Sequence, residues 1–385
     1  MKRTIYNEEH EAFRAVIRSF IGKEVVPHFD RWERENLVDR DLFRKLGALG
    51  VMGFGIPEEY GGTGPSSYRF QTVIAEECAR AAVSFGHYTV STGIVLPYLL
   101  DLADPGQKER WFPGIASGDT MLCVAMTEPG TGSDLAGIRT TAKLSEDGTH
   151  YVLNGAKTFI TGARNSELCL VAARTSPATA DDRRHGLSLL LVPTDSEGFA
   201  YGRKLDKIGL RSSDTSELSF TDVRVPVANL LGEQDRGFSY LGRNLARERL
   251  AIGVASAASA TAAIAFARAY VLERTVFGKP VAAFQNTKFV LAECSAEVEA
   301  LQAMVDKGIA LDDEGVLTAV DAAKIKLFGT EVAARVIDKC LQLHGGYGYM
   351  LEYPIARLYA DTRVSRIYGG TSEVMKTIIA KDLGL

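Results

Sequence analysis

The change of sequence periodicity along the chain is the strongest constraint on its fold. From Asn7 to about residue 120, apolar residues recur at three- and four-residue spacing, which predicts helices. Residues 121–235 contain short apolar segments separated by turn residues, and helical spacing returns after Gly237. At 385 residues the chain exceeds the about 250–300 residues that one core supports. We therefore expect a multidomain α+β protein: an α-helical domain over 1–120, a compact β-barrel or sandwich over 121–235, and a four-helix bundle over 236–385.

Within this frame the sequence predicts individual elements. Pro27 is expected to break or kink the first helix, because proline has no backbone N–H to donate. Asp147-Gly148 predicts a hairpin and Asn154-Gly155 a further turn. The predicted helices cover 7–32, 39–49, 68–82, 89–103, 107–116, 238–273, 285–311, 315–344 and 371–382. The predicted strands cover 121–126, 140–144, 150–153, 156–161, 168–174, 187–193 and 218–225.

Composition excludes several classes of function. A net charge of -4 and a pI of 6.0 leave no basic surface for nucleic acid. No uninterrupted apolar run approaches the about 20 residues that span a bilayer. Five scattered cysteines without a CxxC pair indicate free thiols in a reducing compartment, and no metal site. We therefore expect a cytoplasmic protein without a membrane span.

Residues 127–134, TEPGTGSD, interrupt the regular structure where the helical part gives way to strands. Pro129 lacks a donor, and Gly130 and Gly132 favour backbone conformations that other residues avoid. Such loops present free backbone N–H groups that can hold a phosphate or a heteroaromatic ring. An ordinary surface turn is the alternative.

Five motifs in this order resemble the acyl-CoA dehydrogenase family: TEPGTGSD at 127–134, KTFITG at 157–162, RTVFGKP at 274–280, QLHGGYGY at 342–349 and IYGGTSE at 367–373. The resemblance extends from near Asn7 to the C-terminus. It implies an α–β–α fold, one FAD per subunit and a homotetramer.

By this resemblance, the loop and KTFITG border the flavin ring through Met126, Thr127, Phe159 and Thr161. Hydroxyl donors at the polar edge of a flavin stabilise its electron-rich reduced form. Thr161 alone could equally be a strand-favouring β-branched residue.

The resemblance also implies contacts with the FAD of a neighbouring subunit. The arginine of RTVFGKP suits a pyrophosphate because its guanidinium donates two parallel hydrogen bonds, and the glycines of QLHGG allow close backbone approach. The implied cofactor contacts are Arg274, Phe277, Gln285, Gln342, Gly345, Gly346, Thr371 and Glu373, and the implied substrate contacts are Ser133, Arg249, Tyr368 and Gly369.

The catalytic base is expected at Glu248. Most of the family carries a glutamate after the tyrosine of IYxGTS, but this chain has Gly369 there. A minority, including isovaleryl- and long-chain-type enzymes, supplies the base from a helix at the position of Glu248. The residues alone point the same way, since Leu241, Leu245, Ile252 and Ala255 form a helical stripe that includes Glu248. The alternatives are a surface glutamate between two arginines, and a surface salt bridge for Arg249.

The implied activity is α,β-dehydrogenation of an acyl-CoA thioester to the trans-2-enoyl-CoA, with an electron-transfer flavoprotein as the acceptor of electrons. This is the chemistry of fatty acid β-oxidation in lipid metabolism. One alternative is an acyl-CoA oxidase, although the chains of such oxidases are usually much longer. The other is a catalytically silent acyl-CoA-binding flavoprotein: Gly369, in place of the usual glutamate, favours this alternative, and the presence of Glu248 argues against it.

Overall fold

The structure, a computed structural model, describes residues 2–179 and 181–385. Its first part is helical, and the helices enclose a core around Phe43 and Trp32. Pro27 lies in the first turn of a helix, where a missing donor costs little, and a π-helical turn over Ile21–Val25 joins that helix to the one before it. A second π-helical turn, Thr89–Val95, leads into α5. The helices are α1 (Glu8–Phe20), α2 (Val26–Glu35), α3 (Asp41–Ala48), α4 (Arg69–Ala81), α5 (Leu96–Leu102) and α6 (Pro105–Ser117).

The middle part is one eight-stranded sheet of order β6-β7-β3-β2-β4-β5-β8, with β1 pairing in parallel with β4. Alternate residues of β4 enter different cores: Leu170 packs towards the N-terminal helices, and Val171 lies in a core that strands from the whole sheet share. The sheet therefore has a core of its own and also packs against the N-terminal helices. The strands are β1 (Leu122–Ala125), β2 (Thr141–Leu144), β3 (His150–Thr161), β4 (Leu168–Arg174), β5 (Leu187–Pro193), β6 (Phe199–Lys204), β7 (Thr215–Pro226) and β8 (Leu230–Leu231).

Two sequence predictions fail in the sheet. Asn154-Gly155 is not a turn: β3 runs through it, and the register against β7 shifts between Leu153 and Gly155. Gly155 has a φ of 150°, and a Cβ there would stand 2.5 Å from the Thr140 hydroxyl oxygen, so the glycine permits a bulge. The strands β6 and β8 were not predicted, because five of the six β6 residues are exposed and β8 is only two residues long.

The last part is helical, and long helices pack through small residues. A Cβ on Gly253 would stand 2.4 Å from Ile325 of the facing helix, so this glycine allows close approach. The helices are α7 (Gly237–Glu273), α8 (Gln285–Asp313), α9 (Ala319–Leu343), α10 (Pro354–Thr362) and α11 (Ser372–Asp382), and a small hairpin of β9 (Thr275–Val276) and β10 (Lys279–Pro280) follows α7. Only α10 was not predicted. The fold class is confirmed: helical N-terminal, sheet middle and helical C-terminal parts.

The helix α7 is long and apolar enough to cross a membrane by length and composition alone. The sequence expectation of no such segment overlooked it. Most of its apolar stretch is buried, and residues such as Leu250 and Val254 share a core with α8 and α9. Packing inside the bundle therefore accounts for its apolar composition.

Candidate active site

The loop 127–134 is held by a buried ion pair between its second residue and the strand β3. The Lys157 ammonium donates to Glu128 Oε1 (2.9 Å) and to the carbonyl oxygens of Met126 (3.0 Å) and Ala172 (2.8 Å). Glu128 also accepts the backbone N–H groups of residues 139 and 140 at 2.8 and 2.9 Å. Burial alone would raise the pKa of the Glu128 carboxyl, but its interactions with Thr140, with the Lys157 charge and with the two backbone N–H groups lower it. The start of the loop is therefore fixed to the sheet.

Beside this anchor, β3 presents an aromatic ring to solvent. The register of β3 against β7 shifts between Lys157 and Ile160, and Phe159 lies within the shift at a φ of 60°. Its side chain is 67% exposed. A phenylalanine in the left-handed region is strained, and such strain persists only where the surroundings enforce it. Thr158 donates its N–H to the Thr127 carbonyl at 2.9 Å, which joins this bulge to the loop.

The other predicted residues of this loop region differ in exposure. Met126 and Thr161 are half-buried, the latter paired with Thr215 of β7. Ser133 is exposed, and the neighbouring Asp134 carboxylate accepts a hydrogen bond from Arg183 at 2.8 Å. The structure thus brings Met126 and Thr127 to the end of β3 that carries Phe159 and Thr161, with Ser133 further along the loop.

A second group of predicted residues meets between α7 and the segment before α11. Glu248 is half-buried, but its Oε2 is out of contact with solvent and has no hydrogen-bond partner among the residues described. Burial raises the pKa of Glu248 to about 7, although the positive charges of Arg249 and Lys326 lower it. The surface-glutamate alternative is therefore wrong.

The apolar stripe predicted on α7 is only partly present. Leu241 and Ile252 are buried, whereas Leu245 is half-buried and Ala255 is exposed. The prediction failed at Ala255 because α7 is packed on several sides, so a single stripe does not describe its burial. The environment of Glu248 is set by neighbours on other elements as well as on α7.

Gly369 lies against Glu248 and cannot be replaced by a larger residue without movement. Its φ is 62°, and a Cβ there would stand 2.5 Å from Ile252 Cδ1 and 3.7 Å from Glu248 Oε1. Arg249 is buried, and its Nε lies 3.5 Å from the Gly369 carbonyl oxygen, so its predicted surface alternative is wrong. Tyr368, directly before this glycine, is 43% exposed.

Two residues near Glu248 were missed by sequence reasoning. Lys326 of α9 is buried and donates a short hydrogen bond to the Gly370 carbonyl. Tyr98 of α5 is buried, and its hydroxyl has no partner among the described residues. Lys326 could have been found by the argument used for Glu248, since it occupies a helical stripe that includes the buried Ala322 and Ala333. Tyr98 carries no comparable signal, because tyrosines are common in cores.

The remaining predicted residues lie at the surface of the helical bundle. Arg274 ends α7, and its guanidinium stands 5.8 Å from the ring centre of Tyr347. Phe277, in the hairpin turn, has a φ of 49° and is 94% exposed. No hydrogen bond, ion pair or ring contact within the described ranges joins these residues to the two groups above. Exposed in the same way are Gln285, Gln342, Gly345, Gly346 and Glu373, whereas Thr371 is half-buried and caps α11 through its hydroxyl.

Comparison with known sequences finds matches along almost the whole chain. Profiles of the acyl-CoA dehydrogenase N-terminal, middle and C-terminal domains match residues 7–119, 123–223 and 235–384. The chain belongs to the acyl-CoA dehydrogenase family. The resemblance seen in the motifs is thereby confirmed.

Individual family members agree along almost the whole chain. The mitochondrial long-chain specific acyl-CoA dehydrogenase of Sus scrofa is 41% identical over 99% of this chain and 88% of its own length. The crystal structure of acyl-CoA dehydrogenase from Geobacillus kaustophilus superposes with a TM-score of 0.94 at 42% identity, covering 99% of both chains. The chain is therefore an oxidoreductase of this family, a flavoenzyme that dehydrogenates acyl-CoA.

The residues present fit FAD as the cofactor of this acyl-CoA dehydrogenase family member. The Bacillus anthracis acyl-CoA dehydrogenase was crystallised with FAD; it is 30% identical, with a TM-score of 0.89 over 100% of this chain and 69% of that one. In our structure the exposed, strained Phe159 lies two residues before Thr161 on β3. The Thr158 N–H, directly before Phe159, donates to the Thr127 carbonyl, so an aromatic side chain and two threonines belong to one connected part of the fold. A Cβ on Gly345 or Gly346 would meet no atom within 4 Å, so a dinucleotide can approach the backbone there.

Proposed function

We propose that Glu248 is the base that removes the α-proton of an acyl-CoA thioester, yielding the trans-2-enoyl-CoA. In this reaction the α-proton passes to the Glu248 carboxylate while the β-hydrogen leaves as a hydride with its electron pair. FAD, when bound, supplies the acceptor of that hydride. Relatives named as acyl-CoA dehydrogenases support the dehydrogenation of an acyl-CoA by this chain.

The observation that carries the proposal is the state of the Glu248 carboxyl. A base works best when its pKa lies near the working pH, and burial raises that of Glu248 to about 7. Its Oε2 accepts no hydrogen bond from any described residue, so it is available to accept a proton. A carboxylate kept out of solvent without a partner is costly, which suits a group with a chemical task.

The Gly369 position supports the same assignment. A glutamate there would have to adopt a left-handed backbone and displace Ile252, whose Cδ1 lies 2.5 Å from the position of the new Cβ. The glycine lets the turn pass close to Ile252 and Glu248. A base on α7 and a glycine at 369 are thus mutually compatible, and two glutamates at these positions would repel each other.

The remaining predicted residues are proposed to bind and orient. Arg249 donates to the Gly369 carbonyl, so it is proposed to fix the turn that carries Tyr368 and Gly369. Thr127 and Thr161 are proposed to donate to the polar edge of the flavin, with Met126 and Phe159 packing against it. Ser133, exposed on the loop, is proposed to contact the CoA arm of the substrate.

We also propose that FAD binding is completed by a second copy of the chain in a homotetramer. Arg274, Phe277, Gln285 and Gln342 are exposed and have no connection with the flavin loop of their own chain within the described ranges. An arginine at such a surface suits a pyrophosphate. Glycines 345 and 346 and the Thr371 to Glu373 turn are assigned to the same contact.

Substitution tests this intersubunit role. Arg274→Ala should lower FAD retention, while circular dichroism of each subunit stays unchanged, because the side chain is exposed. Exposed Arg268 on the same helix offers the matched control, Arg268→Ala. Equal FAD retention by both variants would refute the role of Arg274.

The central experiment is anaerobic flavin bleaching with a panel of straight, branched and steroid-like acyl-CoAs. Glu248→Gln should bind FAD and acyl-CoA but show no bleaching, because an amide cannot accept the α-proton. Glu314→Gln, at an exposed glutamate, should bleach like the wild type. Undiminished bleaching by Glu248→Gln rejects the assignment of the base.

The acceptor is proposed to be an electron-transfer flavoprotein, and the protein to work in the cytoplasm in fatty acid β-oxidation. Five free thiols support a reducing compartment. Turnover should therefore require such an acceptor. Peroxide formation in air without it would identify an oxidase, and tight acyl-CoA binding without bleaching by any substrate would identify a silent binding protein.

A further inference from the structure

The residue that faces Glu248 from α9 is a buried lysine. We propose that Lys326 is a positioning residue for Glu248: it anchors the Gly369-Gly370 turn and supplies the positive charge that keeps the base ionised. This inference rests on the proposed role of Glu248.

Lys326 is an unusual residue for its place. It is 1% exposed, on a helix face that otherwise buries Ala322, Ile325 and Ala333. Buried lysines are rare unless a carboxylate pairs with them. Among the described residues, however, no carboxylate forms an ion pair with Lys326, and its one hydrogen bond goes to the Gly370 carbonyl oxygen. The positive charge of Lys326 is therefore not neutralised by a salt bridge within the described residues.

The lysine and the base approach the same point. A Cβ on Gly369 would stand 3.7 Å from Glu248 Oε1 and 3.9 Å from Lys326 Cε. Arg249 meanwhile points its Nε at the Gly369 carbonyl oxygen, 3.5 Å away. Two cations from two helices thus hold consecutive carbonyls of one turn. Both glycines have left-handed φ values, 62° and 92°, so the turn has little intrinsic preference for its shape and depends on such anchors.

The charges around the two groups are few. Glu248 is faced by Arg249 on its own helix, by Lys326 on α9, and by the hydroxyl groups of Tyr98 and Tyr368. Although the Tyr368 residue as a whole is 43% exposed, burial of its titrating group and then the Glu248 charge raise its pKa to about 12, so it stays neutral in the working range. Tyr98 is likewise neutral, because burial raises its pKa.

Lys326 itself stays largely protonated at neutral pH. Burial and then Arg249 lower the pKa of its ammonium to about 8, while Glu248 and, to a smaller extent, Glu373 act to raise it. A protonated Lys326 favours the carboxylate form of Glu248, since opposite charges stabilise each other strongly where water is excluded. Losing this charge shifts the titration of Glu248 to higher pH.

The test compares substitutions that separate charge from anchoring. Lys326→Gln keeps a hydrogen-bond donor for the Gly370 carbonyl but removes the charge, whereas Lys326→Arg keeps both. Lys324→Gln, at a half-exposed lysine on the same helix, is the matched control. Each FAD-containing variant is assayed by the pH dependence of the anaerobic bleaching rate.

We expect the acid limb of the Lys326→Gln profile to move up by about one pH unit or more. Bleaching on that limb slows about tenfold and recovers at high pH. Lys326→Arg and Lys324→Gln should follow the wild-type profile. An unchanged acid limb in Lys326→Gln, or a loss of rate that is equal at every pH, overturns the proposal.

A second measurement does not depend on turnover. Infrared difference spectra between each background and its Glu248→Gln counterpart report the carboxyl stretch of the protonated glutamate. The midpoint of this signal should shift upward in Lys326→Gln by the same amount as the kinetic limb. If the midpoint of the carboxyl signal is unchanged in Lys326→Gln, Lys326 does not affect the titration of Glu248, and the proposal for Lys326 is refuted. Full bleaching by Glu248→Gln would instead refute the role of Glu248 as the base.

Discussion

The buried pair of Lys157 and Glu128 offers a direct test of how the flavin loop is held. Lys157→Met keeps the length and apolar stem of the side chain but removes the ammonium and its three hydrogen bonds. Glu128 then remains buried with only two backbone donors. Removing one partner of a buried ion pair costs about 3–5 kcal/mol, because the other charge is left uncompensated.

A double-mutant cycle separates the pair from its surroundings. Glu128→Gln removes the negative charge and keeps an oxygen that can accept one of the two backbone N–H groups. In the double variant no buried charge is left unpaired, so its loss of stability should fall short of the sum of the single losses by about 2 kcal/mol.

Thermal release of FAD is monitored through the rise in flavin fluorescence. The affinity of the apoprotein for FAD is measured as well. Lys157→Met should lower the release midpoint by about 10 °C, and it should weaken FAD binding because the Met126 carbonyl is freed. Lys143→Met, at an exposed lysine on β2, is the control. A Lys157→Met midpoint no lower than that of the control, or strictly additive losses, would refute the reasoning.

Two further results are expected around the base. Because the pKa of Glu248 lies at about 7 in the folded protein and near 4.5 in the unfolded chain, ionisation destabilises the fold as pH rises between these values. Glu248→Gln should therefore be more stable than the wild type by up to about 3 kcal/mol above pH 7 and equally stable below about pH 4.5. Urea unfolding at several pH values measures this difference in the free energy of unfolding. A difference that does not depend on pH would contradict the prediction. Gly369→Glu in the Glu248→Gln background should not restore bleaching until Ile252→Ala also makes space, and recovery without the third change would show that the turn adapts freely.

Much of the fold could be predicted from the sequence because long periodic segments report burial directly. The helices α7 and α8 begin within a residue of their predicted starts, and β4 and β5 have their predicted bounds. The failures have local causes. Asn154-Gly155 has the composition of a turn, but pairing with β7 on both sides made it a bulge, and tertiary pairing is not visible in a dipeptide.

The candidate site was predictable only in part, for a related reason. Glu248 and Gly369 could be singled out from the sequence, but the Ile252 contact that explains the glycine depends on how α7 meets a distant turn. Lys326 lies on a third element and was overlooked, although its place on an apolar helix face was readable. Sequence periodicity indicates which side chains point inward, and only the packing of helices shows which of them face each other.

The unbroken course of α7 restricts how the gene of this protein can change. Glu248 stands near its beginning and Arg274 directly after its end, so one rigid rod sets the spacing between the proposed base and the proposed contact with another subunit. Deleting a single residue between them would rotate one end against the other by about 100° and shorten the rod by about 1.5 Å. Point substitutions can accumulate on the exposed positions of this helix, whereas insertions and deletions within it should be eliminated.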